Sequence, residues 1–166
     1  MTAGPSPEKR LNDLLAAAGA TLATAESCSG GGVAARVTSI AGSSVYFLGG
    51  VVAYANEAKA DILGVPRDVL ATRGAVSAET AAAMAEGARR LFGATLAVST
   101  TGIAGPGGGT RRKPVGLVYL ALAGPNGTHV ERHRFAGDRA AVTNAAIERA
   151  LALLVDGVEE ILRIRS

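Results

Sequence analysis

The chain has 166 residues, 48% of them hydrophobic, and its 17 Lys and Arg against 14 Asp and Glu give a formal net charge of +3. This length and apolar content predict a single domain that buries its own core, whereas 4% aromatics and no block of five like charges argue against a stacking platform for nucleic acid. One cysteine, Cys28, and two histidines exclude a disulfide framework, disfavour zinc sites and favour a reducing cytoplasm, and no apolar run is long enough to cross a membrane.

The first part of the chain reads as tail, helix, strand and helix. We predict a flexible tail at residues 1–7 and one folded domain over residues 8–166. Leucines at helical spacing predict a first helix that ends at Gly19. A buried strand at residues 21–25 is followed by a glycine turn and a helix over residues 33–40.

The middle of the chain contains a strand and a short helix. Residues 45–55 are rich in Val, Tyr and Phe and predict a strand that Gly49 and Gly50 interrupt with a bulge or a hairpin break. Asn56 is the predicted cap of a helix that runs to about Leu63.

The last part adds two helices and three strands. An alanine-rich helix at residues 78–92 is closed by Gly93 and followed by a buried strand at residues 94–100. Two further strands, at residues 115–123 and 128–135, flank an Asn-Gly pair typical of a hairpin, and a long helix begins at Asp138. This order predicts an α/β fold, a three-layer α/β/α sandwich with a mixed, mostly parallel sheet.

Two glycine-rich turns follow predicted strands, at residues 27–32 and 101–109. Ligands of open α/β sheets gather beyond the carboxyl ends of the strands, so both turns are expected to line one cleft that can hold an anion. Neither turn has the spacing of a P-loop or of a dinucleotide fingerprint. The alternative is that these glycines only shape loops.

Ser27 is the candidate nucleophile because it ends a strand directly before a helix. The backbone N–H groups of Ser29 and Gly30 could then form an oxyanion hole. A serine at this place is also a common helix cap, and that alternative stays open. His129 and His133 alternate with arginines on a predicted strand, which is typical of a solvated strand face rather than of a catalytic base.

The 17 cationic residues comprise 14 Arg and three Lys, which raises the question of why any lysine is present. Unlike arginine, a desolvated lysine can be neutral near pH 7 and accept a serine proton. Lys59 lies on the short helix after Tyr54, so Lys59 could act as a base and Tyr54 as a proton relay. Spacing alone favours a surface lysine paired with Glu57 or Asp61.

Three other features are candidate sites: a cysteine, a basic loop and an arginine at a helix start. Cys28 could be a second nucleophile, but no histidine lies near it in sequence, and core packing is the favoured interpretation. Arg111 and Arg112 lie in a basic loop of the kind that is usually solvated. Arg139 lies in the first turn of the last helix, where a guanidinium and a helix N-terminus can act together on an anion.

Seven short motifs together resemble one known family. They are Ala25-Glu26-Ser27-Cys28-Ser29-Gly30-Gly31, Ala41-Gly42-Ser43-Ser44, Tyr54-Ala55-Asn56-Glu57-Ala58-Lys59, Gly74-Ala75-Val76-Ser77, Thr101-Gly102-Ile103-Ala104-Gly105-Pro106-Gly107-Gly108, Lys113-Pro114-Val115-Gly116 and Gly137-Asp138-Arg139. In this order they resemble the CinA C-terminal domain family, the nicotinamide-nucleotide amidases. The resemblance extends from about residue 8 to residue 160.

The resemblance implies hydrolysis of nicotinamide mononucleotide to nicotinate mononucleotide and ammonia, a step of NAD recycling. It implies a Ser27 nucleophile, a Lys59 base and a Tyr54 relay, without metal or cofactor, in a cytoplasmic homodimer or larger homo-oligomer with no nucleic-acid or membrane partner. The residues assigned to substrate binding, mostly by position, are Ser29, Gly30, Gly31, Asn56, Thr101, Gly102, Gly105 and Arg139. Two alternatives remain, a non-catalytic nucleotide-sensing or partner-binding module and an amidase for another carboxamide.

Overall fold

A five-stranded sheet forms the middle layer of the protein in a computed structural model that describes residues 4–166. The strands lie in the order β2-β1-β3-β4-β5. Their bounds are β1 (Leu22–Glu26), β2 (Phe47–Val52), β3 (Leu96–Gly102), β4 (Leu117–Gly124) and β5 (Gly127–Arg134).

The strand directions correct one part of the sequence prediction. β1 runs parallel to both of its neighbours, whereas β3 with β4 and β4 with β5 are antiparallel. The sheet is therefore mixed, as predicted, but the expectation that it is mostly parallel was wrong. No helix lies between β3 and β4, and without a helical crossover β4 returns antiparallel to β3.

Six α-helices cover the two faces of the sheet. Their bounds are α1 (Pro7–Ala18), α2 (Gly32–Thr38), α3 (Asn56–Asp61), α4 (Arg67–Thr72), α5 (Ala78–Phe92) and α6 (Arg139–Arg165). α1, α2 and α6 share one apolar core with one face of the sheet, and α5 packs on the other face. The predicted three-layer α/β/α sandwich is confirmed.

Local structure departs from the sequence prediction at a few places. Of the predicted strand over residues 45–55, only Phe47–Val52 form β2, and Val45 ends a 3-10 turn (Ser43–Val45). The register of β2 shifts opposite β1 close to the expected bulge. Ala55 is the N-cap of α3, so Asn56 is its first residue and not its cap. α4 was not predicted. Of the predicted tail, residues 1–3 lie outside the described part and Pro7 already belongs to α1.

Helix ends and the hairpin follow the predicted chemistry. Gly19 and Gly93 end α1 and α5 in the left-handed region, with φ of 58° and 62°. The carboxylate of Asp138 accepts a hydrogen bond of 2.9 Å from the backbone N–H of Ala141 and so caps α6. The hairpin between β4 and β5 pairs Gly124 with Gly127. Among residues 4–166, none of the helices is long and apolar enough to cross a bilayer.

An ion pair between Glu131 and Arg149 ties the edge strand β5 to α6 and makes stability depend on pH. Arg149 donates two hydrogen bonds of 2.8 and 2.7 Å to Glu131, and together with His133 it lowers the pKa of Glu131 to about 2 from an ordinary 4.5. Because the native pKa is the lower one, the stabilisation is present above pH 4.5 and is lost as the pH falls toward 2. We expect Glu131→Gln to destabilise the protein by roughly 1–2 kcal/mol at pH 7 and by much less near pH 2.

Urea unfolding followed by circular dichroism at both pH values measures this difference. Asp61→Asn is the matched control, because Asp61 forms its ion pair with Arg67 at a site where both side chains are mostly exposed. We expect that control to change stability by less than about 0.5 kcal/mol. An equal loss for Glu131→Gln at pH 7 and near pH 2 would contradict the prediction.

Candidate active site

Ser27 lies where β1 ends and a glycine turn leads into α2. Its backbone N–H donates a hydrogen bond of 2.9 Å to the carbonyl of Thr100 at the end of β3, which anchors the turn to the sheet. Gly30 and Gly31 have φ of 60° and 96°, a region that side chains rarely adopt, so these glycines allow the chain to reverse directly after Ser27. The predicted sequence of strand, glycine turn and helix is confirmed.

Lys59 is buried beside Ser27. Only 1% of its surface is exposed, and its Nζ atom lies 3.1 Å from Ser27 Oγ, 2.9 Å from the carbonyl oxygen of Ala53 and 3.0 Å from that of Tyr54. The surface interpretation was wrong: Lys59 forms no ion pair with Glu57 or Asp61. The segment between β2 and α3 supplies the two carbonyls and α3 supplies the lysine, because the chain turns back on itself there.

The surroundings of Lys59 make its ammonium easier to deprotonate than a lysine in water. Burial lowers the pKa of Lys59 below its ordinary value of 10.5, since the desolvated ammonium has no carboxylate partner. A neutral amine has two hydrogens and one lone pair. When Lys59 is neutral and donates its two hydrogens to the two carbonyl oxygens, its lone pair faces Ser27 Oγ and can accept the hydroxyl proton.

Tyr54 is attached to this site through both of its oxygens. Its carbonyl accepts a hydrogen bond from Lys59, and its hydroxyl oxygen accepts one of 3.0 Å from Arg139, which also donates to the carbonyl of Gly105 at 2.9 Å. Because arginine can only donate, the Tyr54 hydroxyl hydrogen stays free for another acceptor. Within the described residues this hydroxyl bonds neither Ser27 nor Lys59, and the side chain is largely exposed.

A cleft of about 270 Å³ joins these groups at the carboxyl ends of β1 and β3. It is lined by seven of the predicted site residues, which are Ser27, Tyr54, Lys59, Thr101, Gly102, Gly105 and Arg139. The two glycine turns do not contribute equally: the second supplies half of the lining residues, and the first supplies only Ser27 and Cys28. Both turns therefore line one cleft, as expected, but with unequal contributions.

The other predicted binding residues lie outside the cleft lining. These are Ser29, Gly30, Gly31 and Asn56. The N–H of Gly30 is already paired with the carbonyl of Ser27 at 3.1 Å, which argues against its predicted place in the oxyanion hole. The N–H groups of Cys28 and Ser29 have no acceptor within residues 4–166, and of these two residues Cys28 lines the cleft. Asn56 is exposed at the start of α3.

The sequence profile of the CinA C-terminal domain matches residues 5–158. The chain belongs to the CinA C-terminal domain family.

Relatives of this CinA-family chain share more than half of its residues over the aligned part. A CinA-like protein of Geobacter sulfurreducens is 57% identical over 133 residues, which cover 80% of this chain and 32% of that protein. A CinA-like protein of Citrifermentans bemidjiense is 56% identical over 144 residues, covering 87% of this chain and 35% of that protein. The chain thus spans about a third of the length of these relatives.

Solved structures of the CinA superfamily share the fold. The competence/damage inducible protein CihA of Agrobacterium tumefaciens superposes with a TM-score of 0.87 at 42% identity, covering 94% of this chain and 98% of that chain. A CinA superfamily protein of Klebsiella pneumoniae gives a TM-score of 0.89 at 36% identity, covering 93% and 96%.

Three residues in or behind the wall of the CinA cleft were not assigned a site role from the sequence: Ala75, Val76 and Glu26. Ala75 and Val76 form part of its wall, and the hydroxyl of Thr101 donates to the carbonyl of Ala75 at 2.7 Å, so this hydroxyl holds the wall in place. The carboxylate of Glu26 lies behind the Ser27 turn. The motif Gly74-Ala75-Val76-Ser77 was the available signal for the wall, and no local pattern marks Glu26 apart from its place beside Ser27.

The other candidate residues have the structural roles that the sequence favoured, core packing or exposure to solvent. Cys28 is 9% exposed and packs in the core, and burial raises the pKa of its thiol to about 11. Arg111 and Arg112 are exposed. His129 and His133 lie on β5 next to Glu131, away from Ser27. In the described part of the chain, no three His, Cys, Asp or Glu side chains come together as metal ligands do.

Proposed function

We propose that this chain is an amidohydrolase that converts the carboxamide of nicotinamide mononucleotide to a carboxylate with release of ammonia. The observation that carries the proposal is the 3.1 Å contact between Lys59 Nζ and Ser27 Oγ, made by a buried lysine whose two other partners are carbonyl oxygens. This arrangement supplies a nucleophile and its base without any histidine.

The proposed reaction has two halves. Ser27 Oγ attacks the carboxamide carbon as its proton passes to Lys59, and the C–N bond then breaks as that proton is returned to the departing nitrogen, leaving an ester on Ser27 and free ammonia. In the second half Lys59 takes a proton from water, whose oxygen attacks the ester carbon. The ester bond to Ser27 Oγ breaks as Lys59 returns this proton to the serine oxygen, and the carboxylic acid product loses its own proton to solvent and leaves as the carboxylate.

Two further groups support the same steps. The N–H of Ser29, which has no acceptor among residues 4–166, directly follows Cys28 of the cleft wall in the turn that carries Ser27 and is the candidate donor to the oxyanion. The free hydroxyl hydrogen of Tyr54 is available to the leaving nitrogen, and its bond from Arg139 makes the phenol a better donor because a cation polarises it. Tyr54 therefore remains the proposed proton relay.

The nucleotide part of the substrate is assigned to the side of Arg139. This residue opens α6 and lines both the cleft and a second hollow of about 740 Å³, whose walls include Ala104, Pro106 and Val115. A guanidinium at a helix N-terminus favours an anion such as the phosphate monoester. The protein is further proposed to act in the cytoplasm as a homodimer or larger homo-oligomer, in line with the family resemblance.

A coupled ammonia assay on nicotinamide mononucleotide tests this function. We expect one ammonia and one nicotinate mononucleotide for each substrate consumed, identified by chromatography of the products. Nucleotide binding in calorimetry without ammonia would favour a non-catalytic sensing or partner-binding module. Turnover of a different carboxamide under the same conditions would show an amidase of another specificity.

A further inference from the structure

Glu26 is a buried acidic residue directly before the proposed nucleophile, and the reaction proposed above does not use it. It ends β1 and is 1% exposed. Its carboxylate accepts hydrogen bonds from the backbone N–H groups of Val33 and Ala34 at 2.8 and 3.1 Å and from the hydroxyl of Ser29 at 2.7 Å. One carboxylate therefore holds both the first turn of α2 and the turn that carries Ser27.

These hydrogen bonds have a defined direction. An ionised carboxylate can only accept, so the hydroxyl of Ser29 donates to Glu26. The Ser29 oxygen is then left to accept from the hydroxyl of Thr100, 2.6 Å away on β3. The chain Thr100 to Ser29 to Glu26 runs one way and leaves Ser29 no freedom to rotate, which fixes the turn against the sheet.

The main chain of Glu26 reaches the other half of the site. Its carbonyl accepts a hydrogen bond of 2.8 Å from the N–H of Ala53, and the carbonyl of Ala53 in turn accepts from Lys59. The side chain of Glu26 is thus linked to the Ser27 turn, and its backbone is linked to the residue that orients Lys59.

We propose that Glu26 is a positioning residue that, through Ser29, sets the orientation of the Ser27 turn and of the Ser29 N–H. It acts through another residue and does not itself touch the substrate. The inference rests on the proposed amidase function. Since an oxyanion forms only in the transition state, a misplaced Ser29 N–H lowers kcat and leaves KM nearly unchanged.

The competing explanation is that Glu26 only caps α2. Its bonds from the N–H groups of Val33 and Ala34 would be sufficient for that role. Ser29→Ala separates the two explanations, because it removes the link to the turn and keeps both bonds that cap the helix. Glu26→Leu removes both functions, since a side chain of similar size without oxygen atoms cannot accept from Ser29 or from the helix N–H groups. Thr100→Val keeps the bond from Ser29 to Glu26 and deletes only the outer link.

The experiment measures kcat and KM for nicotinamide mononucleotide in the full chain and its variants. We expect Ser29→Ala to lower kcat by about 10- to 100-fold with KM within about threefold, Glu26→Leu to lower it at least as much, and Thr100→Val less. Val158→Ala, in the core between α1 and α6, is the control for stability loss alone and should keep the wild-type kcat.

A second measurement does not depend on the substrate. The rate at which a fluorophosphonate modifies Ser27, followed by mass spectrometry, reports the positioning of the nucleophile and its oxyanion donor. We expect the same order of variants, with Ser29→Ala slowed at least about tenfold. If the wild-type protein releases no ammonia, the proposed function is contradicted. The labelling rates of Ser27 in the wild type and the variants would still test the role of Glu26.

A wild-type kcat and labelling rate in folded Ser29→Ala would overturn the inference and leave Glu26 as a helix cap. A fall in kcat for Val158→Ala of the same size would also overturn it, because stability loss would then explain the result. If Glu26→Leu does not fold, Ser29→Ala and Thr100→Val decide the question by themselves.

Discussion

Lys59→Arg is expected to lower kcat/KM for ammonia release by about 10³-fold, although the substitution keeps the positive charge. Arginine stays protonated in proteins, so it cannot take the proton of Ser27. Its fork of donors also cannot match two carbonyl oxygens and a hydroxyl held at 2.9 to 3.1 Å from one nitrogen. Steady-state ammonia assays at pH 8 measure the effect.

A second substitution separates loss of the base from loss of the fold, because a permanent charge buried at this place could also unfold the protein. Lys59→Met has a similar length and no charge, and we expect it to fold and to lose activity to the same extent as Lys59→Arg. Lys9→Met is the matched control, since Lys9 is exposed on α1, and it should behave as wild type. Substantial activity in folded Lys59→Met would show that Lys59 is not the base.

The lowered pKa of Lys59 also predicts two pH effects of the same sign. The active form is the neutral amine, so kcat/KM should rise with pH and reach its plateau below the ordinary lysine value of 10.5. Between the native pKa and 10.5 the unfolded chain binds a proton that the native protein does not, so the stability also rises with pH in that range. Lys59→Met should remove this contribution to the stability.

The part of the site formed by neighbouring residues could be predicted from the sequence. Ser27 follows an apolar strand and precedes three glycines and a helix, and the structure shows this turn with positive φ at Gly30 and Gly31. Local propensity decides such a turn, because only glycine reverses the chain there without strain. The caps Gly19 and Gly93 were predictable for the same reason.

The part of the site formed by residues distant in sequence could not be predicted from the sequence. Whether Lys59 faces solvent or Ser27 depends on how α3 packs behind β2, and spacing alone favoured an ion pair with Glu57 or Asp61. The contact between Tyr54 and Arg139 joins positions 85 residues apart. The direction of β4 depends on the loop after β3, which no periodicity in the sequence describes. These features result from tertiary packing, which local pattern does not encode.

Ser27→Ala is expected to have the largest effect of any single substitution, a loss of kcat of at least about 10⁴-fold. Removing the hydroxyl removes the atom that forms the ester intermediate, and Lys59 keeps its two carbonyl partners, so the fold should not change. Calorimetry should show nucleotide affinity within about threefold of wild type, since Ser27 contributes to bond formation rather than to binding. A coupled ammonia assay on the same preparations supplies the rates.

Ser39→Ala is the matched control, because Ser39 is an exposed serine at the end of α2 whose hydroxyl bonds only the carbonyl of Arg36.

A covalent intermediate gives a further test: rapid quenching of wild-type protein with substrate should increase the mass of the peptide containing Ser27 by one nicotinate-nucleotide acyl group. The neighbouring Cys28 lies in the same peptide, but its thiol is protonated near neutral pH because burial raises its pKa to about 11. Fragmentation that placed the acyl group on Cys28, or ammonia release by Ser27→Ala at the wild-type rate, would rule out the serine mechanism. Acylation of Ser27 that is lost in Lys59→Met would link both residues to the same chemical step.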